Sequence, residues 1–250
     1  SFIFGFTASN MTFAGHNPGL RTSLASNHLK QAAGQYSLPF LNSRSRSGHK
    51  ISYGQKPIVT TFVNRMIDNG EYMTGVNAVV MIYTLTGRNI EDAIILNKRS
   101  VDFGMFRTVK YKIFHRSMEK LKKDEYTKIE EEYEEIEKGI IRKGEIFEPK
   151  GVVGITKEII KTKGSDGETR EEVNLIKEKE KTDRRGRVDK RYRAPNSSIV
   201  KVKIAFENEP ALGDKLSSRH GQKGVAGAII EPENLPFTKD GLVPDLIINP

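Results

Sequence analysis

The residues best suited to chemistry fall into three clusters. The densest runs from Gly213 to Gly224 as Gly-Asp-Lys-Leu-Ser-Ser-Arg-His-Gly-Gln-Lys-Gly, with Gly227 just beyond. Four glycines in fifteen residues allow tight turns and close approach of a ligand to the backbone. Lys215, Arg219 and Lys223 add three positive charges, so open amides and cations together suit a phosphate-bearing ligand. The Gly-x-x-x-x-Gly-Lys-Ser/Thr spacing of a P-loop is missing. An ordinary surface turn is the competing reading.

The second cluster is Gly87-Arg88-Asn89-Ile90-Glu91-Asp92, after a β-branched-rich run. Adjacent carboxylates at a strand-to-helix junction point different ways: one can reach a metal while the other caps the following turn. The plainer alternative is a good helix start. The third cluster is His16-Asn17-Pro18-Gly19-Leu20-Arg21, with Lys30 and Gln31 further on. Arg21 could fork onto a phosphate and Gln31 could bond a sugar or base, against an unremarkable surface role for both.

Elements must carry these clusters. Asn77 to Leu85 reads as a buried strand ending at Thr86-Gly87. Ser198 to Phe206 alternates, with Val200, Val202, Ile204 and Phe206 on one face and Lys201 and Lys203 on the other. Thr22 to Ala33 is predicted as a helix begun by Thr22 or Ser23 and stopped by Gly34. The class expected is a β-rich α+β fold.

Charge divides the chain. Lys110 to Arg193 holds 24 basic and 20 acidic side chains, whereas the rest of the 250 residues holds 17 and 12. This middle reads as an inserted, solvent-facing segment with charged helical or hairpin arms over Arg116 to Lys143. Thr182 to Pro195, with Lys181, Arg184, Arg185, Arg187, Lys190, Arg191 and Arg193, reads as a mobile loop. An insertion implies that the flanks form one discontinuous domain, giving boundaries of 1–109, 110–197 and 198–250. The net charge is +9.

The chain has no cysteine, which excludes disulfides, thiolate zinc sites and a cysteine nucleophile and points to an intracellular protein. His16, His28, His49, His115 and His220 are too scattered for a histidine-ligated structural metal. The longest mainly apolar run, Val76 to Leu85, is short of the roughly 20 residues a bilayer requires. No secretory start is seen. Ser1 and Pro250 give both ends a cut look, so a fragment is expected.

Taken together and in order, the clusters resemble the second-largest subunit of multisubunit DNA-directed RNA polymerases. The resemblance is carried by GDKLSSRHGQKG and PFTKDGLVPDLIINP (Pro236 to Pro250), by GVNAVVMIYTLTGRNIEDAIILNKRSVDFGMFR (Gly75 to Arg107), and by His16 to Gly34. Gln222, where bacterial relatives tend to have Asn, points to the archaeal, eukaryotic or viral type.

The resemblance implies a hybrid-binding region in the flanks, including a double-psi β-barrel, and a wall or flap in the inserted middle. It implies that Lys215 and Lys223 contact the RNA 3′ end and nearby phosphates. Asp92 with Glu91 would lie near a second, exchangeable Mg²⁺, directly or through water. Arg21 would face the incoming nucleoside triphosphate and Gln31 the RNA, with Arg219 and His220 in the same binding set. No Asp-Phe-Asp-Gly-Asp triad is present, and in the family that triad, which holds the permanent metal, belongs to the largest subunit. Pro18-Gly19-Leu20 departs from the usual Ser-Pro before the arginine. Implied partners are the largest subunit, other polymerase subunits, DNA template, RNA transcript, NTPs and transcription factors, with no membrane. The implied location is nucleus, cytoplasm or virion according to source. The competing reading is a non-catalytic nucleic-acid-binding β module, a degenerate polymerase relative.

Overall fold

Ala93-Ile94-Ile95-Leu96 is apolar at every position, the pattern of a strand covered on both faces. In the computed structural model, which describes residues 3–34, 38–68, 74–118, 123–163, 169–179, 182, 184–194 and 197–249, it is the central strand Ala93–Asn97 of a five-stranded sheet. The strand order is Lys215–Ser217, Lys223–Ile230, Ala93–Asn97, Leu246–Ile248, Val80–Ile82. Lys223–Ile230 runs parallel to Ala93–Asn97, and Leu246–Ile248 runs antiparallel to it. Ile94, Leu96, Ala226, Val101 and Leu246 pack on one side, and Ile95, Ala228, Leu235 and Ile247 on the other. Among the described residues the sheet is open and no closed barrel is formed.

This sheet belongs to the first of two compact units, which comprises residues 1–40, 49–109 and 208–250. The same unit holds the helix Gly19–Gln31 and two short ones, Phe62–Asp68 and Lys98–Asp102. Buried Asn97 caps the last of these: its Oδ1 accepts from Arg99 N at 3.0 Å while its Nδ2 donates to Pro244 O at 3.0 Å. Asp245 joins three segments by accepting from Val79 N (2.8 Å) and Ser100 Oγ (2.7 Å).

The second unit comprises residues 41–48 and 110–207. Thr108–Ser117 enters it and Ile199–Asn208 leaves it, neighbours in a sheet continued by Gly186–Arg193 and Ile146–Phe147. A second sheet has the order Ile136–Glu137, Ile140–Ile141, Val152–Lys163, Thr169–Lys179, and the helix Lys123–Glu132 precedes it. Val200, Val202, Ile204 and Phe206 are buried as their alternation requires, together with Phe114, Met118, Phe147, Val153 and Val188.

Four expectations are corrected. Asn77 to Leu85 is not a buried strand: only Val80–Ile82 is extended, at the sheet edge, with Val80 and Ile82 exposed and Met81 turned to the core. The helix starts three residues early, at Gly19 after Pro18, because Pro presets the entry and no Thr or Ser side chain caps it. Thr182 to Pro195 is not a loop throughout: Gly186–Arg193 is a strand antiparallel to Ile199–Asn208, with Val188 in the core (Lys181, Asp183 and Pro195 lie outside the described residues). Lys203 is 2% exposed rather than solvent-facing. Its Nζ donates to Leu41 O (3.2 Å) and Ser43 O (3.4 Å), lies 4.6 Å from the Tyr111 ring centroid, and sits 3.9 Å from Asp189 Oδ2. Burial lowers its pKa from the ordinary 10.5, with Asp189 opposing. No described helix is long and apolar enough to cross a membrane.

Candidate functional site

The glycine-rich basic segment folds as a hairpin. Lys215–Ser217 pairs antiparallel with the start of Lys223–Ile230 in the register Lys215↔Val225, Leu216↔Gly224, Ser217↔Lys223. Residues opposite one another share a face, so Lys215, Ser217 and Lys223 stand together, and all three are exposed. Ser218 closes the turn: its N donates to Gln222 O (2.8 Å), and its Oγ accepts from the amides of His220 and Gln222 (each 3.2 Å).

Parallel pairing of Val225 with Ala93 puts Asp92 beside this hairpin, although 130 residues separate Asp92 from Gln222. The Val225 amide donates to Asp92 O at 2.9 Å, and Gln222 Nε2 donates to Asp92 Oδ1 at 3.1 Å. Gly224 makes the approach feasible, since a Cβ there would lie 2.7 Å from Asp92 O. Glu91 (φ 56°) and Asp92 (φ 64°) are consecutive left-handed residues. Each such non-glycine conformation costs on the order of 1–3 kcal/mol and persists where its surroundings impose it. The segment is therefore not a helix start: it turns directly into the strand Ala93–Asn97. Buried Asn89 organises it, accepting from Leu85 N (3.0 Å) and donating to Tyr83 O (2.6 Å). Both carboxylates remain exposed.

The helix Gly19–Gln31 grips the hairpin. Arg21 and His28, seven residues apart, lie on one helix face. Arg21 donates to Gly221 O at 3.2 Å, and His28 Nδ1 is 2.8 Å from Ser217 Oγ. Just before the helix, Asn17 Nδ2 is 3.2 Å from His220 Nδ1. Gly221 has φ +85°, and a Cβ on it would lie 2.4 Å from Arg21 O, so both its conformation and its surroundings demand glycine. Gln31 is exposed, and at 1.5 Å per residue it lies about 15 Å along the axis from Arg21, so it does not join the hairpin cluster.

Arg219 reaches across to another segment of the unit. Its guanidinium donates to Asn77 Oδ1 (3.2 Å), Thr74 O (3.2 Å) and Gln55 O (3.5 Å). Desolvation lowers its pKa, though an arginine stays charged at neutral pH. Its charge is spent on bracing Gln55, Thr74 and Asn77.

The structure thus gathers Asp92, Lys215, Lys223, Arg21 and His220, leaves Gln31 apart, and gives Arg219 to the scaffold. Sequence reasoning missed His28, Asn17 and Ser218 as positioning groups and took Gln222 only as a marker of lineage. Asn17 and Ser218 at least lay inside two of the clusters, whereas His28 lay outside them. Among the described residues, no group of three or more His, Asp or Glu converges as a ready-made metal site.

Comparison with known proteins identifies the family. Over 270 residues the chain is 34% identical to a probable DNA-directed RNA polymerase II subunit RPB2 homolog of Invertebrate iridescent virus 6, covering 100% of this chain and 22% of that protein. It is 32% identical over 274 residues to the DNA-directed RNA polymerase subunit Rpo2 of Saccharolobus solfataricus (99% and 24%). It is 33% identical over 261 residues to DNA-directed RNA polymerase D subunit 2b of Arabidopsis thaliana (100% and 23%). The chain spans less than a quarter of the length of these relatives. The family model for RNA polymerase Rpb2, domain 6, matches residues 7–250, and the chain belongs to that family.

Proposed function

We propose that this chain is the part of a second-largest RNA polymerase subunit that binds the RNA 3′ end and the incoming nucleotide during DNA-templated RNA synthesis. The observation that carries the reading is the Gln222–Asp92 contact. It holds an exposed carboxylate against the strand bearing Lys223, with Lys215 on the same face of that hairpin. Binding alone calls for cations; a carboxylate kept among them suits a metal-bearing triphosphate.

In nucleotidyl transfer the RNA 3′ hydroxyl attacks the α-phosphate in line and pyrophosphate departs. Mg²⁺ supplies charge stabilisation for the attacking and leaving oxygens. A magnesium ion arriving with the nucleotide keeps several waters and takes one or two protein carboxylates. Asp92 fits that demand, with Oδ1 held by Gln222 and Glu91 alongside. Lys215 and Lys223 orient the RNA terminus and neutralise phosphate charge, which is where positioning yields rate. Arg21 and His220 face the triphosphate side, Gln31 lies further along the transcript, and Arg219 serves by holding Gln55, Thr74 and Asn77.

Under this reading residues 1–109 and 198–250 form the hybrid-binding region, and the mixed sheet of the first unit is its share of a double-psi β-barrel. Residues 110–197 form the wall or flap. The largest subunit brings the remaining metal ligands, other polymerase subunits complete the enzyme, and template DNA, transcript and NTPs are the ligands. The protein acts inside the cell or virion.

The test is reconstitution of the full-length subunit with its partners, carrying Lys215→Ala, Lys223→Ala or Asp92→Ala. The expected result is normal assembly with severely slowed nucleotide addition. Normal elongation by all three variants would instead favour a non-catalytic nucleic-acid-binding module.

A further inference from the structure

We infer that His28 is a positioning residue for nucleotide addition: through Ser217 it fixes the strand from which Lys215 and Lys223 are aimed. The inference rests on the function proposed above.

Lys215–Ser217 is the weakest element of the hairpin. It is three residues long, lies at the edge of its sheet and, among the described residues, has ladder bonds on one side only. Short exposed edges open locally at little cost. A lysine arm is flexible, so the direction of its ammonium group depends on how firmly the strand beneath it is held. Ser217 sits directly opposite Lys223 and two residues from Lys215, on their shared face. A restraint on Ser217 therefore acts on both lysines at once.

His28 is that restraint. Asn17 and Arg21 hold the turn, at His220 and Gly221, whereas His28 is bonded to the strand itself. The proton arrangement follows from Ser217. Its hydroxyl donates to Ser218 O at 3.1 Å, and a carbonyl has no proton to return. With the hydroxyl turned that way, the Oγ accepts from His28 Nδ1–H over 2.8 Å, a direction that the His28→Asn variant below tests. The path continues through Ser218, whose amide donates to Gln222 O, and through the Gln222 side chain to Asp92. Contacts between successive residues thus lead from the helix, past both lysines, to the carboxylate.

The experiment uses the complete reconstituted polymerase and measures the single-nucleotide addition rate as a function of NTP concentration. His28→Ala and Ser217→Ala are each expected to lower the maximal rate about tenfold, the order expected for one lost hydrogen bond, with the KM for NTP little changed. The double variant should be no slower than the slower single, as expected of two residues joined in one contact. His28→Asn places an N–H at the distance from Cβ of the histidine Nδ1 and should restore most of the rate; His28→Gln should not. Lys223→Ala is run beside them as the control for the underlying function. If Lys223→Ala is crippled while His28→Ala and Ser217→Ala match wild type, the inference is overturned and the function stands. If Lys223→Ala is also normal, both fall. Additive losses, or no rescue by His28→Asn, likewise overturn it. Should His28→Ala fail to assemble, Ser217→Ala, on an exposed edge, decides the matter.

Discussion

The two units use charge in opposite ways. In the second unit, where about half of residues 110–193 are charged, the described cations mostly hold structure together. Lys203 is buried against Leu41 O and Ser43 O; Lys190 and Lys201 donate to Asn42 Oδ1 (2.8 Å) and Ser45 Oγ (3.1 Å); and Arg44 stacks on Tyr192 at 4.4 Å. Arg191 pairs with Glu137, and Arg193 donates to Met118 O at 2.7 Å. In the first unit, Arg21 and Arg219 are also bonded into the frame, yet Lys215, Lys223, Glu91 and Asp92 are left exposed on it. Charge density therefore does not mark the proposed site. What distinguishes it is charge left exposed by a scaffold that goes to some cost, in left-handed residues and close glycines, to keep it there.

This contrast is tested most severely at Lys223. Its replacement by alanine should leave assembly intact and slow nucleotide addition about a hundred- to a thousandfold, the usual cost of losing one preorganised charge-stabilising donor. Pre-steady-state addition assays read this directly. Next comes the frame: Gly221→Ala forces a left-handed alanine against Arg21 O and should destabilise the first unit by on the order of 3 kcal/mol, seen as a lowered denaturant midpoint.

In the second unit, Lys203→Met should cost about 2 kcal/mol at neutral pH, because two carbonyls lose their donor. The pH dependence has a definite sign. The folded-state pKa of Lys203 is below its ordinary 10.5, so between those values the unfolded chain binds more protons than the folded one. Wild-type stability should then rise with pH across that alkaline window relative to Lys203→Met. Denaturant titrations from neutral pH to 10 measure the gap, and a gap that narrows would contradict a penalty from burying the charge. The smallest effect is expected at Gln222→Asn, one methylene too short to reach Asp92. Elongation should fall only a few-fold, with a higher Mg²⁺ concentration needed for half-maximal rate.

Much of this was legible in the residues. The alternation from Val200 to Phe206 announced a half-buried strand, and the glycine-rich hairpin and the Asn89 to Asp92 turn were recognisable as clusters. Other features were not, for physical reasons. Val80 and Ile82 are β-branched, and a local run does not record whether it has one neighbour or two, so an edge strand read as a buried one. Gly186–Arg193 hid behind its cations: long basic side chains can lay their stems along a sheet, leaving Val188 as the single fully buried clue. His28 gave no pattern signal, because its partner is 189 residues away and a single hydrogen bond has no period.

The parallel pairing of Ala93–Asn97 with Lys223–Ile230 also dictates an order of events on the ribosome. The first strand emerges roughly 130 residues before its partner, a delay of about 6 to 25 s at typical rates of synthesis. Throughout that interval Ile94, Ile95 and Leu96 have no mate, and the nascent chain is vulnerable to sticking to its neighbours. The intervening segment is complete before the wait ends. Because Thr108–Ser117 and Ile199–Asn208 are neighbours, its folding ties off the long excursion and leaves only a short tether for the late strand to search. Lesions in the second unit should therefore appear first as poor yield of soluble protein.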